Sequence, residues 1–114
     1  MSSCARLAAL FLLPSALAAA AGDWPQWHGP TRDGVAAAGA PVPAALPKDL
    51  KPLWKIAVGA GHSSPVVAAG RLVYSDENGK QEIAHCLDAK TGKELWSAAY
   101  ADRAEDEWGA GPRA

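Results

Sequence analysis

The sequence predicts an all-β fold assembled from repeated antiparallel sheets, and three observations carry that prediction. Short apolar segments recur between residues 53 and 100 at spacings of roughly 8–12 residues, the pattern of sandwiches, barrels and propellers. Turn formers stand between them: Gly59-Ala60-Gly61, Ala69-Gly70, Asp76 to Lys80, and Asp88 to Gly92. Leu53-Trp54-Lys55 then returns as Leu95-Trp96-Ser97, displaced by 42 residues, which lies within the ~40–45 residues of a four-stranded propeller blade. No segment sustains a helical apolar period.

Residues 1–22 read as a secretory signal peptide. Arg6 supplies a positive charge, Leu7 to Ala19 is apolar apart from Pro14 and Ser15, and Ala18 to Gly22 are small residues suited to cleavage. The apolar stretch is shorter than the ~18 residues or more of a membrane span, so a retained anchor is the weaker reading. Nothing later in the chain is apolar for long enough to cross a bilayer. The expected location is therefore periplasmic or secreted. Once the signal and its Cys4 are removed, Cys86 is the sole thiol. Stability must then come from packing rather than from a disulfide framework, and Cys86 fits a small buried strand residue better than a reactive one.

The mature chain opens with Asp23 to Gly34, in which Trp24 and Trp27 stand among Pro and Gly. Such a stretch makes no regular helix, and its indoles are costly to leave in water. An irregular arm with Trp24 and Trp27 packed on a larger body is expected, in preference to a carbohydrate-stacking role. Val35 to Pro52 carries Pro41, Pro43, Pro47 and Pro52, a density that favours an extended connector. Residues 23–52 are thus an N-terminal arm and linker.

Residues 53–114 are read as the start of a propeller. Leu53 to Val58 is expected as an outer strand, and Gly59-Ala60-Gly61 as the crossing to the inner strand of the next blade. The blade itself spans residues 63–100, with strands at Ser64–Ala68, Arg71–Ser75, Glu82–Leu87 and Lys93–Tyr100. Asp76 to Lys80 is read as a turn, since Asn78-Gly79 is a strong hairpin signal and the ligand order of a calcium loop is missing. Gly59-Ala60-Gly61 recurs as Gly109-Ala110-Gly111, displaced by 50 residues. The surplus over the first displacement sits in the polar stretch Tyr100 to Trp108, so residues 101–114 are an insertion and the opening of a second blade.

The most informative segment is Leu87 to Trp96. Asp88 can accept backbone N–H bonds from the turn that follows it, and Gly92 supplies the positive φ that the reversal needs. Trp96 then leaves on the outgoing strand. These residues resemble the tryptophan-docking motif of pyrroloquinoline-quinone-like β-propeller repeats, the quinoprotein dehydrogenases and their relatives. Asp88, Thr91, Gly92, Lys93 and Trp96 match the motif, while Cys86 takes its small first position. The resemblance implies that Trp96 packs against the equivalent turn of a neighbouring blade, and that Leu53 to Val58 is the outer strand of the last blade, closing the ring against C-terminal strands beyond this sequence. Asp23-Trp24-Pro25-Gln26-Trp27 is also similar to the opening of many exported members, with His28 where Arg is usual. The WD40 pattern fits less well, because Ser97 follows Trp96 and the Asp-Thr-Gly turn is foreign to it.

One blade cannot bury both faces, and a ring of eight blades would need roughly 350 residues. The sequence therefore reads as the N-terminal part of a longer propeller whose remaining blades are its first partners. Net charge is −1, from 11 Lys and Arg against 12 Asp and Glu. That balance argues against a nucleic-acid face and against a polybasic membrane patch.

Candidate chemistry is sparse. His28, His62 and His85 are scattered, and His85 with Asp88 makes a poor ligand pair. Gly59 to Ser64 is glycine-rich, but no helix follows to present N–H groups to a phosphate. No serine, cysteine or carboxylate pair has a spacing that implies catalysis. Catalytic, cofactor and metal residues are thus expected to be none in this sequence. Two functions follow from the resemblance. One is an exported non-catalytic propeller acting as a binding or assembly scaffold, with protein partners in the envelope. The alternative is an alcohol or sugar dehydrogenase using pyrroloquinoline quinone and Ca²⁺, with ligands on blades beyond this sequence.

Overall fold

A computed structural model describes residues 22–113. The signal-peptide reading of residues 1–22 therefore lies, but for Gly22, outside the described residues. The described chain is all-β, with a four-stranded antiparallel sheet, a two-stranded sheet and no helix. The larger sheet runs in sequence order: β1 (Val66–Ala68), β2 (Arg71–Glu77), β3 (Gln81–Asp88) and β4 (Glu94–Asp102). The smaller pairs β5 (Glu105–Asp106) with β6 (Gly109–Ala110).

Local chemistry explains each reversal. Ala69 and Gly70 both take positive φ, 50° and 73°, the handedness that a two-residue hairpin turn requires. At the next turn Asn78 Oδ1 accepts from the Lys80 and Gln81 N–H groups, both at 3.0 Å. Between β3 and β4 the Asp88 N–H donates to Lys93 O at 2.9 Å and the Gly92 N–H returns to Asp88 O at 2.8 Å.

All four strands of the larger sheet differ in extent from the sequence reading, by one or two residues at one or both ends. β2 continues through Asp76 and Glu77, which pair with Ile83 and Glu82, so these two acids are strand residues and not part of the turn. The turn contracts to Asn78-Gly79-Lys80, where Glu77 Oε2 accepts the Gly79 N–H at 2.9 Å and Asn78 Oδ1 accepts the Lys80 and Gln81 N–H groups. β4 runs to Asp102, and beyond it the expected insertion folds back as the β5–β6 hairpin.

Leu53 to Val58, expected as a strand, is a bend at Leu53 followed by irregular backbone with no ladder partner among the described residues. A strand exists only by its inter-strand hydrogen bonds. This segment is fastened instead at its two ends, by the Trp54 side chain and by the Gly59-Ala60 backbone. Ala60 forms an isolated bridge to Glu77, whose N–H donates to Ala60 O at 2.9 Å.

Cross-strand register assigns the two faces. Leu72↔Leu87, Tyr74↔His85 and Asp76↔Ile83 share one face, which the 54–60 segment covers. Val73↔Cys86 and Cys86↔Trp96 share the other. Leu95 and Tyr100 have no register partner and mark irregularities in β4. Among the described residues the buried apolar core is small, Cys86 and Leu87, with Asp76 as a buried acid. Large apolar side chains remain open, including Leu53, Trp96, Tyr100 and Trp108. A lone sheet offers them nothing to pack on.

The arm is tied to the sheet edge. Trp24 and Val67 exchange backbone hydrogen bonds of 2.7 and 2.8 Å, which occupies part of the open edge of β1. The Trp24 ring packs over Gly29, whose notional β-carbon would lie 2.8 Å from it. Trp27, expected to pack on the body, is instead exposed and rests on His28 with ring centroids 3.8 Å apart.

The two Gly-Ala-Gly stretches meet. The His62 N–H donates to Pro112 O at 2.8 Å, and His62 bridges Arg113 in parallel. Gly111 lies against the Ala60 carbonyl, where a β-carbon would collide with backbone.

Candidate functional site

The covered face carries two constellations, and the first is the Asp88–Gly92 turn. Asp88 Oδ1 gathers the Lys90 N–H at 3.0 Å, the Thr91 N–H at 2.9 Å and the Thr91 hydroxyl at 3.0 Å. The Lys93 N–H donates to Thr91 Oγ1 at 3.3 Å. The Thr91 N–H and hydroxyl bonds, with lesser help from the Lys90 N–H and its charge, outweigh the opposing desolvation and hold the Asp88 carboxyl below its ordinary value. Asp88, Thr91, Gly92 and Lys93 are thus brought together in one hydrogen-bonded turn.

Trp54 completes the turn. Its indole Nε1–H donates to Ala89 O at 3.0 Å, and its ring lies directly over Gly92. A β-carbon at Gly92 would sit 2.6 Å from Trp54 Cδ2, so the position needs glycine for space as well as for its φ of 70°. Trp96, the fifth motif residue, does not join this cluster. It lies on the opposite face, opposite Cys86, and is 47% exposed.

Because Asp88 is acidified by the bonds of the turn, its contribution is present above the ordinary value of 3.8 and is lost as pH falls through the lowered folded value. Asp88→Asn keeps an acceptor oxygen without the titration. Thermal unfolding of the two proteins should therefore converge as pH falls below about 4. A constant difference in midpoint down to pH 2 would contradict this role.

The second constellation is centred on His85. Its Nε2 lies 2.9 Å from Asp76 Oδ1 and its Nδ1 lies 2.8 Å from Glu94 Oε2. Tyr74, its cross-strand neighbour, stacks on the imidazole at 4.8 Å between centroids and 10° between planes. The other Asp76 oxygen accepts the Gly59 N–H at 2.6 Å, and Glu94 also accepts from the Ser97 hydroxyl at 3.2 Å. Burial works against the charged imidazole, but the bonds to Glu94 and Asp76 and their charge outweigh it, so His85 titrates above its ordinary value. Burial, followed by the charges of Asp76 and Glu94, raises Tyr74 likewise.

The expected weak pair of His85 with Asp88 does not form. Residues three apart on a strand point to opposite faces, and His85 takes its carboxylates from β2 and β4. A cavity of about 410 Å³ opens between the 54–60 segment and the sheet, lined by Ile56, Tyr74, Asp76, His85 and Glu94 among others. Among the described residues no group of three or more His, Cys, Asp or Glu is arranged to hold a metal ion. Both His85 nitrogens already face carboxylates.

Two features escaped the sequence reading. One is the seat of Trp54 on Gly92, a contact between residues far apart in the chain. The other is the carboxylate–imidazole–carboxylate row. Its only local trace is the alternation of Tyr74 and Asp76 on one strand, with His85 and Leu87 on the next. No protein-family model matches the chain, and no curated protein or solved structure is significantly similar to it.

Proposed function

We propose that this chain is the opening blade of an exported β-propeller of the pyrroloquinoline-quinone-like type, and that the propeller is a non-catalytic binding or assembly scaffold. The observation that carries this reading is Trp54 seated on the Asp88–Gly92 turn. A tryptophan from one repeat is fastened to the turn of the next, which is a packing task and not a chemical one. Trp96 stands 42 residues later in the same local sequence, exposed, with its ring free to meet the turn of a following blade. The ionisable residues on the covered face are engaged with each other and with the 54–60 backbone, an arrangement suited to holding a segment in place.

The test uses the full-length protein supplied with pyrroloquinoline quinone and Ca²⁺. Dye-linked oxidation of a panel of alcohols and aldoses is expected to show no turnover above that of the quinone alone. Substrate-dependent turnover would establish the dehydrogenase instead.

A further inference from the structure

We propose that protonation of His85 works as a pH-sensitive clasp, tying β2, β3 and β4 together and setting how firmly the 54–60 segment is held over the sheet. This goes beyond the scaffold role, and its geometry is independent of it. Both imidazole nitrogens lie within hydrogen-bond distance of carboxylate oxygens, at 2.8 and 2.9 Å. Only the imidazolium has two N–H donors, so only the protonated ring satisfies Asp76 and Glu94 at once. A neutral ring satisfies one and turns a lone pair toward the other.

Asp76 links the clasp to the segment. Its Oδ1 faces His85 while its Oδ2 accepts the Gly59 N–H, and its side chain is only 12% exposed. A carboxylate this buried needs a compensating cation. The imidazolium supplies that charge, and the row of Asp76, His85 and Glu94 then carries one net negative charge. Loss of the proton raises it to two.

The half-exposed Glu94 can turn toward water. Asp76 cannot do so without releasing Gly59, and the segment loosens when it does. By reciprocity, seating the segment on Asp76 favours uptake of the proton.

The surrounding charges leave His85 in control. From β2 the neighbours are Asp76, the stacked Tyr74 and, at the cavity rim, Glu77, which Arg103 already pairs at 3.1 Å. From β4 they are Glu94 and the neutral Ser97. On β3 itself the flanking residues of this face, Ile83 and Leu87, are apolar. The covering segment presents Ile56, Ala57 and Gly59, none of which titrates, while Lys55 is exposed and does not line the cavity.

The experiment is an NMR titration of the full chain between pH 5 and 9, following the His85 ring signals and the Gly59 amide together. Gly59 protection from hydrogen exchange, corrected for intrinsic chemistry, is expected to fall on the order of tenfold as pH rises through the His85 midpoint. In Glu94→Gln both transitions should move together to lower pH. In His85→Gln, whose amide keeps the same NH2 donor and carbonyl acceptor at every pH, Gly59 protection should be constant. Gly59 protection that stays flat across the wild-type His85 titration, or that follows the same curve in His85→Gln, overturns the clasp. A failure here leaves the scaffold reading intact, because that reading is tested by turnover.

Discussion

Replacement of Gly92 by alanine is expected to cost about 3 kcal/mol and to expel Trp54 from its seat. Two terms combine. A non-glycine residue at φ 70° costs roughly 1–2 kcal/mol. The added methyl, placed 2.6 Å from the indole, also forces out a ring whose hydrogen bond and packing contribute about 1–2 kcal/mol. The check is a double-mutant cycle in urea with Trp54→Ala. The steric part should vanish once the indole is gone, leaving only the backbone part, so the two substitutions should be less than additive. Full additivity would mean that Trp54 and Gly92 do not meet.

Removal of the Asp76 carboxylate has the second large effect. Asp76→Ala strips the partner of the Gly59 N–H and one of the two counter-ions of His85. Breaking a buried pair in this way costs about 3–5 kcal/mol. Because the His85 and Asp76 side chains keep 15% and 12% exposure, a value of about 3 kcal/mol, at the lower end, is expected. Chemical denaturation at pH 6 gives the number. A loss below about 1 kcal/mol, as for a surface pair, would show that water already solvates the cluster.

The consequence for the 54–60 segment separates the two positions. In Gly92→Ala the segment loses its Trp54 end but keeps Gly59 on Asp76. In Asp76→Ala it loses the Gly59 end and keeps Trp54 on Ala89. Hydrogen exchange at Gly59 should therefore respond strongly to the second substitution and weakly to the first.

The two fastenings also explain why a stretch with the composition of a strand is not one. Leu53 to Val58 is suited to strand pairing, yet its backbone finds no ladder partner among the described residues. It lies across a face instead of along an edge. Composition favours extended backbone; only a neighbouring edge makes it a strand.

Sequence and structure agree where the cause is short-range. The β1–β2 turn follows from Ala69-Gly70, the β2–β3 turn from Asn78-Gly79, and the β3–β4 turn from Asp88, Thr91 and Gly92. In each, a side-chain acceptor or a glycine acts within four residues of itself. The strand between two such turns inherits its register from them, which is why the order β1-β2-β3-β4 and the antiparallel pairing could be read from the chain. The burial of Cys86 was legible for the same reason, as a small residue on a strand with apolar neighbours.

The rest depended on partners that no local pattern names. Trp54 is legible as the repeat mate of Trp96, but it stands 35 residues before Ala89, whose carbonyl it bonds. His85 looked isolated because its carboxylates come from strands on either side. They coincide only when the β2–β3 register places Tyr74 opposite His85 and the irregularity at Leu95 returns Glu94 to the same face. A one-residue slip would send Asp76 to the other side of the sheet and abolish the row.

The sequence by itself thus determined an all-β chain, the order of its strands and the turn built on Asp88, because hairpins are closed by the residues within them. The tertiary structure alone decided that Trp54 caps that turn, that Leu53 to Val58 covers a face without joining the sheet, and that His85 stands between two acids. Each of those is a contact between segments whose positions are set only when register, twist and cover are all in place.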